Sequence, residues 1–193
     1  MTQGLDSNPQ KKPIHPSLTP SDIRWEIRKL YLARVNLEEI GELFRGLKRL
    51  TILDLAGNKL RSVSKRELED FAPSLEELNL AENQLTSIAD VFDEMKQLER
   101  LSLAGNRLRL YNEEKEVTFP DTLMDNLDRL ESLDISNNSF TYIPVRLATA
   151  FQRKNHLRIG LAHNPYYCDY RVRPLNLFLN LPTQSGRCPS EIR

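Results

Sequence analysis

The sequence predicts an α/β solenoid: a curved parallel sheet built from one short strand per repeat, lining a concave side, with short helices and irregular returns on the convex side. Three observations predict it. Residues 50–60, LTILDLAGNKL, and residues 98–108, LERLSLAGNRL, share every leucine, the Ala-Gly-Asn triplet and a basic residue before the last leucine. The underlying template, L-x-x-L-x-L-x-x-N-x-L, returns at Leu75, Leu78, Leu80, Asn83 and Leu85, and again at Leu130, Leu133, Ile135, Asn138 and Phe140. Weaker copies begin at Ile27, with Val35 in place of the asparagine, and at His156, with Asn164 and Tyr166, so the repeats start at 27, 50, 75, 98, 130 and 156. A unit this short cannot bury an apolar side alone, so neighbouring copies must stack into one continuous core.

The ends come first in the chain. Residues 1–18 hold three prolines, two lysines and mostly polar neighbours, the composition of a disordered tail. Thr19-Pro20-Ser21-Asp22 reads as a helix start, with a capping hydroxyl, a proline in the first turn and an acid behind it. That helix, carrying Ile23 and Trp25, is expected to lid the open end of the array, which runs from 19 to 164; Trp25 on a binding surface is the alternative.

Within each repeat, the residues at template positions four and six turn inward while positions three and five turn outward. Parallel stacking leaves backbone groups unpaired where each chain leaves the sheet. An inward asparagine amide offers two donors and an acceptor to them. Asn58, Asn83, Asn106, Asn138 and Asn164 are therefore expected to form a structural ladder rather than a catalytic set.

The returns have their own register. Phe44, Phe92 and Met124 each precede the next repeat by six residues, and Phe71 and Phe151 by four and five, which predicts a second apolar spine behind the sheet. Ser64-Lys-Arg-Glu67 reads as a capping box opening a short helix that buries Leu68 and Phe71. Gly41 and Gly46 argue against a long helix in the first return. The 32-residue step holds extra chain between Arg109 and Asp125. It reads as a solvated charge run outside the core or, alternatively, as a loop that contacts a partner.

Bulk composition excludes several functions. Twenty-seven basic residues balance 27 acidic ones, so no global field argues for nucleic acid or an anionic membrane. No apolar run is long enough to span a bilayer, and residues 1–10 lack the apolar core of a secretory signal, so membrane association is expected only through regions outside this chain. No phosphate-binding glycine loop, nucleophile elbow or histidine-glutamate metal motif occurs, so no catalytic residue and no cofactor is expected. His156 and His163 do not match a zinc spacing, and no metal is expected. The two cysteines, Cys168 and Cys188, are either reduced thiols or one terminal disulfide.

From residue 27 to about 166 the template resembles the leucine-rich repeat family, whose unit is a short strand followed by a helix or irregular return. The segment 165–193 resembles the cysteine-containing cap that closes extracellular arrays of that family: Asn164-Pro-Tyr-Tyr-Cys168-Asp-Tyr170, then Leu175, Leu177, Phe178 and Leu179, then Cys188. Carried over by position, the resemblance implies a Cys168–Cys188 disulfide, which contributes ~3 kcal/mol when oxidised. Tyr170 stands where that cap has a second cysteine, whose usual partner would lie beyond Arg193, and the amino end has no cysteine cap. The resemblance implies a secreted or cell-surface protein such as an adhesion or receptor ectodomain. A cytoplasmic scaffold or regulatory subunit with both thiols reduced is the alternative.

Binding is then expected from the outward rows, with another protein as the partner and no nucleic acid or small-molecule cofactor. Tyr31, Arg34 and Ile52 are the first choice of anchors, since interface hot spots favour aromatic and arginine side chains in polar surroundings. Glu77, Glu82 and Arg100 are expected to select by charge, with Lys29, Asp54, Asn79, Ser102 and Asp134 completing the surface. Small residues at position seven, from Ala33 to Ala162, would keep that row low.

Overall fold

The computed structural model describes residues 26–167. Its described strands are β1 (Lys29–Tyr31), β2 (Ile52–Asp54), β3 (Glu77–Asn79), β4 (Arg100–Ser102), β5 (Ser132–Asp134) and β6 (Arg158–Gly160). They form one parallel sheet in sequential order. Register is strict: Leu30, Leu53, Leu78, Leu101, Leu133 and Ile159 stand side by side across it. The middle four of these side chains are buried, whereas Leu30 and Ile159 on the end strands are only partly covered. Bonding between repeats begins one residue before each three-residue strand. The carbonyl of Thr51, for example, accepts from the amides of both Glu76 and Glu77 at 2.8 and 2.9 Å.

Where the chain leaves the sheet, asparagine side chains bridge adjacent repeats. Asn83 donates to the carbonyls of Leu55 in the previous repeat and Leu80 in its own, both at 3.0 Å, and accepts from the amide of Leu60 at 3.0 Å. Asn58, Asn106 and Asn138 repeat this arrangement and are buried. Asn164 makes the same bonds to Ile135 and Leu161 and accepts from the amides of Asn138 and Phe140, but it is only half-buried at the last described repeat. Each amide satisfies groups that would otherwise be stranded in an apolar interior.

Behind the sheet, Phe44, Phe71, Phe92, Met124 and Phe151 are all buried. Phe44 meets Phe71 edge-on, with ring centroids 6.3 Å apart. Helix α1 (Lys65–Leu68) begins at Ser64, whose amide and hydroxyl both donate to one Glu67 carboxylate oxygen at 2.8 and 2.7 Å. The other Glu67 oxygen accepts from the amide of Gly41, and Asp70 accepts from that of Gly46, both at 2.8 Å. Gly41 and Gly46 both have positive φ, 52° and 85°, a conformation that presents these amides at little cost. The two carboxylates thus fasten the first return to the second, and the first return is a chain of tight turns with no helix.

Helix α2 (Val145–Arg153) turns Leu147, Ala148 and Phe151 into the core. The nine-residue helix is the longest in the described chain and follows Pro144, whose fixed φ suits a helix start. Shorter 3-10 turns cover Ala72–Ser74 and Leu123–Asp125.

In the extra chain after Arg109 the charge run itself, Glu113–Glu116, is exposed, but the residues that follow it are tied into the core. Tyr111 and Val117 pair as an antiparallel bridge, closed by Asn112 and Glu116 and a positive-φ Lys115. Directly below, Thr118 and Phe119 are buried, and Phe119 meets Phe140 edge-on at 4.8 Å. The Thr118 carbonyl also accepts from the amide of Ile88 at 2.9 Å. An aromatic ring and a bonded backbone anchor the insertion to two repeats.

The expected tail of residues 1–18, the helix start at Thr19–Asp22 with Ile23 and Trp25, and the cap containing Tyr170, Cys168 and Cys188 lie outside the described residues.

Candidate functional site

Strand alternation sets two outward rows. Position three carries Lys29, Ile52, Glu77, Arg100, Ser132 and Arg158; position five carries Tyr31, Asp54, Asn79, Ser102, Asp134 and Gly160. A shallow depression of about 310 Å³ crosses β1 to β5 between these rows. Eight of the sequence-predicted residues line it: Tyr31, Ile52, Asp54, Glu77, Asn79, Arg100, Ser102 and Asp134. Lys29 lies beside it on the end strand, while Arg34 and Glu82 stand in a separate row beyond the strand ends. Tyr31 is 62% exposed, the large apolar surface of this face, and Ile52 beside it is half-buried.

The charged candidates are largely paired with one another. Glu77 and Arg100, opposite each other on β3 and β4, form a direct ion pair. The hydrogen bond from Arg100 holds the Glu77 carboxyl below the usual carboxylate range, against a smaller opposing effect of burial, and Arg100 and Lys29 add charge attraction. Arg34 reaches Glu82 at 3.3 Å, two repeats away. Its side chain crosses Gly57: a Cβ there would lie 2.6 Å from the Arg34 Cγ.

Three position-five side chains also hold backbone. Asp54, Asn79 and Asp134 each accept, through Oδ1, from the amide two residues on, at 3.0, 3.1 and 2.9 Å. This local turn is a structural role for all three side chains.

At template position eight, just before the ladder asparagine, all six residues are left-handed: Arg34, Gly57, Glu82, Gly105, Asn137 and His163 have φ between 51° and 67°. Gly57, Gly105 and Asn137 adopt that conformation readily, and their shared register is the signal from which it could have been inferred. For Arg34 and Glu82 it is a disfavoured backbone carrying a charged side chain. Sequence reasoning also passed over position two, where Glu76, Glu99 and Glu131 recur on three neighbouring repeats at the entrance to the strands.

Among the described residues, no group of three or more His, Cys, Asp or Glu side chains is placed to hold a metal ion. No described helix is long and apolar enough to cross a membrane.

Models of the leucine rich repeat match residues 71–108 and 129–149. No curated protein matches the sequence. A leucine-rich repeat protein of Leptospira interrogans is similar in structure, with a TM-score of 0.65 and 24% identity over 84% of this chain. The chain spans 38% of the length of that protein, and at this identity the likeness speaks to the fold.

Proposed function

From a leucine-rich repeat solenoid of the α/β class as premise, we propose that this chain is a non-catalytic module that binds another protein through its strand face. The observation that carries the reading is the depression across β1 to β5, where the exposed Tyr31 ring and Ile52 sit beside polar and charged side chains. A rigid sheet with an apolar anchor inside a polar surround is the arrangement in which a few side chains dominate binding. Arg34, Glu82 and Lys29 border that surface and act as rim contacts.

Proximity labelling followed by purification of a direct partner supplies the test. Tyr31→Ala with Ile52→Ala should weaken that partner at least about tenfold, the scale of a central hot spot, and leave the thermal midpoint nearly unchanged. Loss of binding on removal of the hairpin tip, Glu113–Glu116, with no effect of the strand-face pair, contradicts the reading.

The likeness of residues 165–193 to an extracellular cysteine cap supports a secreted or cell-surface site of action and a Cys168–Cys188 disulfide. Mass-shift counting of free thiols in protein from its native compartment should find none. Two free thiols would place the chain among cytoplasmic scaffolds or regulatory subunits instead.

A further inference from the structure

We propose that the strand face takes a basic, extended polypeptide segment laid across β2 to β5, with two cationic side chains four residues apart reaching Asp54 and Asp134. The proposal rests on the protein-binding reading and narrows it to one partner chemistry.

Charge is distributed unevenly over a chain that is neutral as a whole. Positions three and five of the four central strands carry Asp54, Glu77 and Asp134, and position two at the strand entrances adds Glu76, Glu99 and Glu131, against a single cation, Arg100. Arg100 is itself closed on Glu77. Arg100 also draws Glu99 and Glu131 by charge, but no direct ion pair among the described residues closes on these two or on Asp54, Glu76 and Asp134. The cations of this face stand at its two ends, Lys29 on β1 and Arg158 on β6. The centre therefore attracts a cation, and the ends discourage one from sliding outward. An anionic partner such as nucleic acid meets like charge here, and so does the same face of a second copy.

Spacing supplies the rest. Asp54, Asn79, Ser102 and Asp134 stand in one register across four adjacent strands. With strands ~4.8 Å apart, Asp54 and Asp134 are separated by about 14 Å, and an extended chain rising ~3.4 Å per residue covers that distance in about four residues. An even interval puts both side chains on the same face of the segment. A residue two places before the first cation reaches back toward Tyr31 and Ile52, where an apolar side chain fits. The turn bonds from Ala56 and Ser136 fix both aspartates before any partner arrives, which lowers the ordering cost of binding.

The probe is a synthetic twelve-residue Gly-Ser-Thr peptide carrying one leucine, an arginine two residues later and a second arginine four residues beyond it. Controls carry glutamate at both arginine positions, or the second arginine moved by one residue. The arginine peptide should bind, less tightly as salt rises, and both controls should bind at least about tenfold more weakly. Asp54→Asn with Asp134→Asn should produce a loss of about the same size without moving the thermal midpoint. Asn79 already makes the same turn bond in the same row, so the amides keep the fold while removing the charge. Absence of binding by the arginine peptide overturns the proposal, as does equal binding of the glutamate peptide. Self-association of the free chain through this face, abolished by the Tyr31→Ala and Ile52→Ala changes, also overturns it. In each of those cases a purified partner that still depends on Tyr31 and Ile52 would leave the broader protein-binding reading standing.

Discussion

Glu77 and Arg100 stand opposite each other on adjacent strands and close an ion pair at the centre of the strand face. Residues 23 positions apart in the chain therefore neutralise one another, and two side chains that look like independent selectivity contacts act as one unit.

That pairing has a pH signature. Because Arg100 holds the Glu77 carboxyl below its usual range, the stabilisation is present above the unfolded glutamate pKa of ~4.3 and disappears as pH falls through the lower folded value. Both side chains are partly exposed, so the pair is worth at most about 1 kcal/mol. Glu77→Gln should lower the unfolding free energy read from urea titration at pH 7 by that modest amount, and the gap from the unaltered protein should narrow at pH 3. A gap that stays constant between the two would place the effect outside the ion pair.

Asn83→Ala should destabilise by at least about 2 kcal/mol, since it strands the Leu60 amide and the carbonyls of Leu55 and Leu80 in a buried setting. Asn164→Ala, at a half-covered position, should cost less. Chemical denaturation of the two variants checks the order, and a loss below about 0.5 kcal/mol for Asn83, the usual surface range, contradicts a bridging role.

Gly57→Ala and Gly105→Ala should each cost about 1 kcal/mol or somewhat more, because both positions are left-handed. Only at Gly57 does the new methyl group collide with Arg34, whereas the nearest atoms at Gly105 are at ordinary contact distance. A double-mutant cycle between Arg34 and Glu82 should therefore find its coupling, small as exposed pairs are, removed in the Gly57→Ala background and kept in the Gly105→Ala background.

Phe119→Ala should cost about 3–5 kcal/mol, as a buried ring leaving a cavity does. Replacing Glu113 and Glu114 at the tip of the same insertion by serine should be nearly neutral, because both are exposed. Equal effects on the thermal midpoint would mean that the insertion is not anchored through Phe119.

The solenoid was legible because its physics is periodic. A leucine row recurs at every repeat, and any copy of it predicts the neighbour against which it packs. Aperiodic features were less legible. Charge composition draws attention to Glu113 and Glu114, but Phe119 and Thr118, which tie the insertion down, show no repeat spacing. Position eight combined both cases: its two glycines and one asparagine mark a left-handed site, while Arg34, Glu82 and His163 in the same register mask it. The aspartates and asparagine of position five looked like free recognition groups because a local turn bond to the amide two residues on is invisible in an alignment of outward rows. Pairing is a property of register: Glu77 and Arg100 share template position three, so the repeat alignment already set them side by side, yet only the sheet showed that they bind each other.

The most direct test of strand-face binding is methyl NMR of the isoleucines while a purified partner is added. Ile52 is half-buried and lines the depression, whereas Ile88, Ile135 and Ile143 are buried in the core. The account predicts that the Ile52 methyl signal moves most and that the three core signals stay nearly fixed. An unmoved Ile52, with the largest change at Ile88, whose amide bonds to the insertion at Thr118, would contradict it.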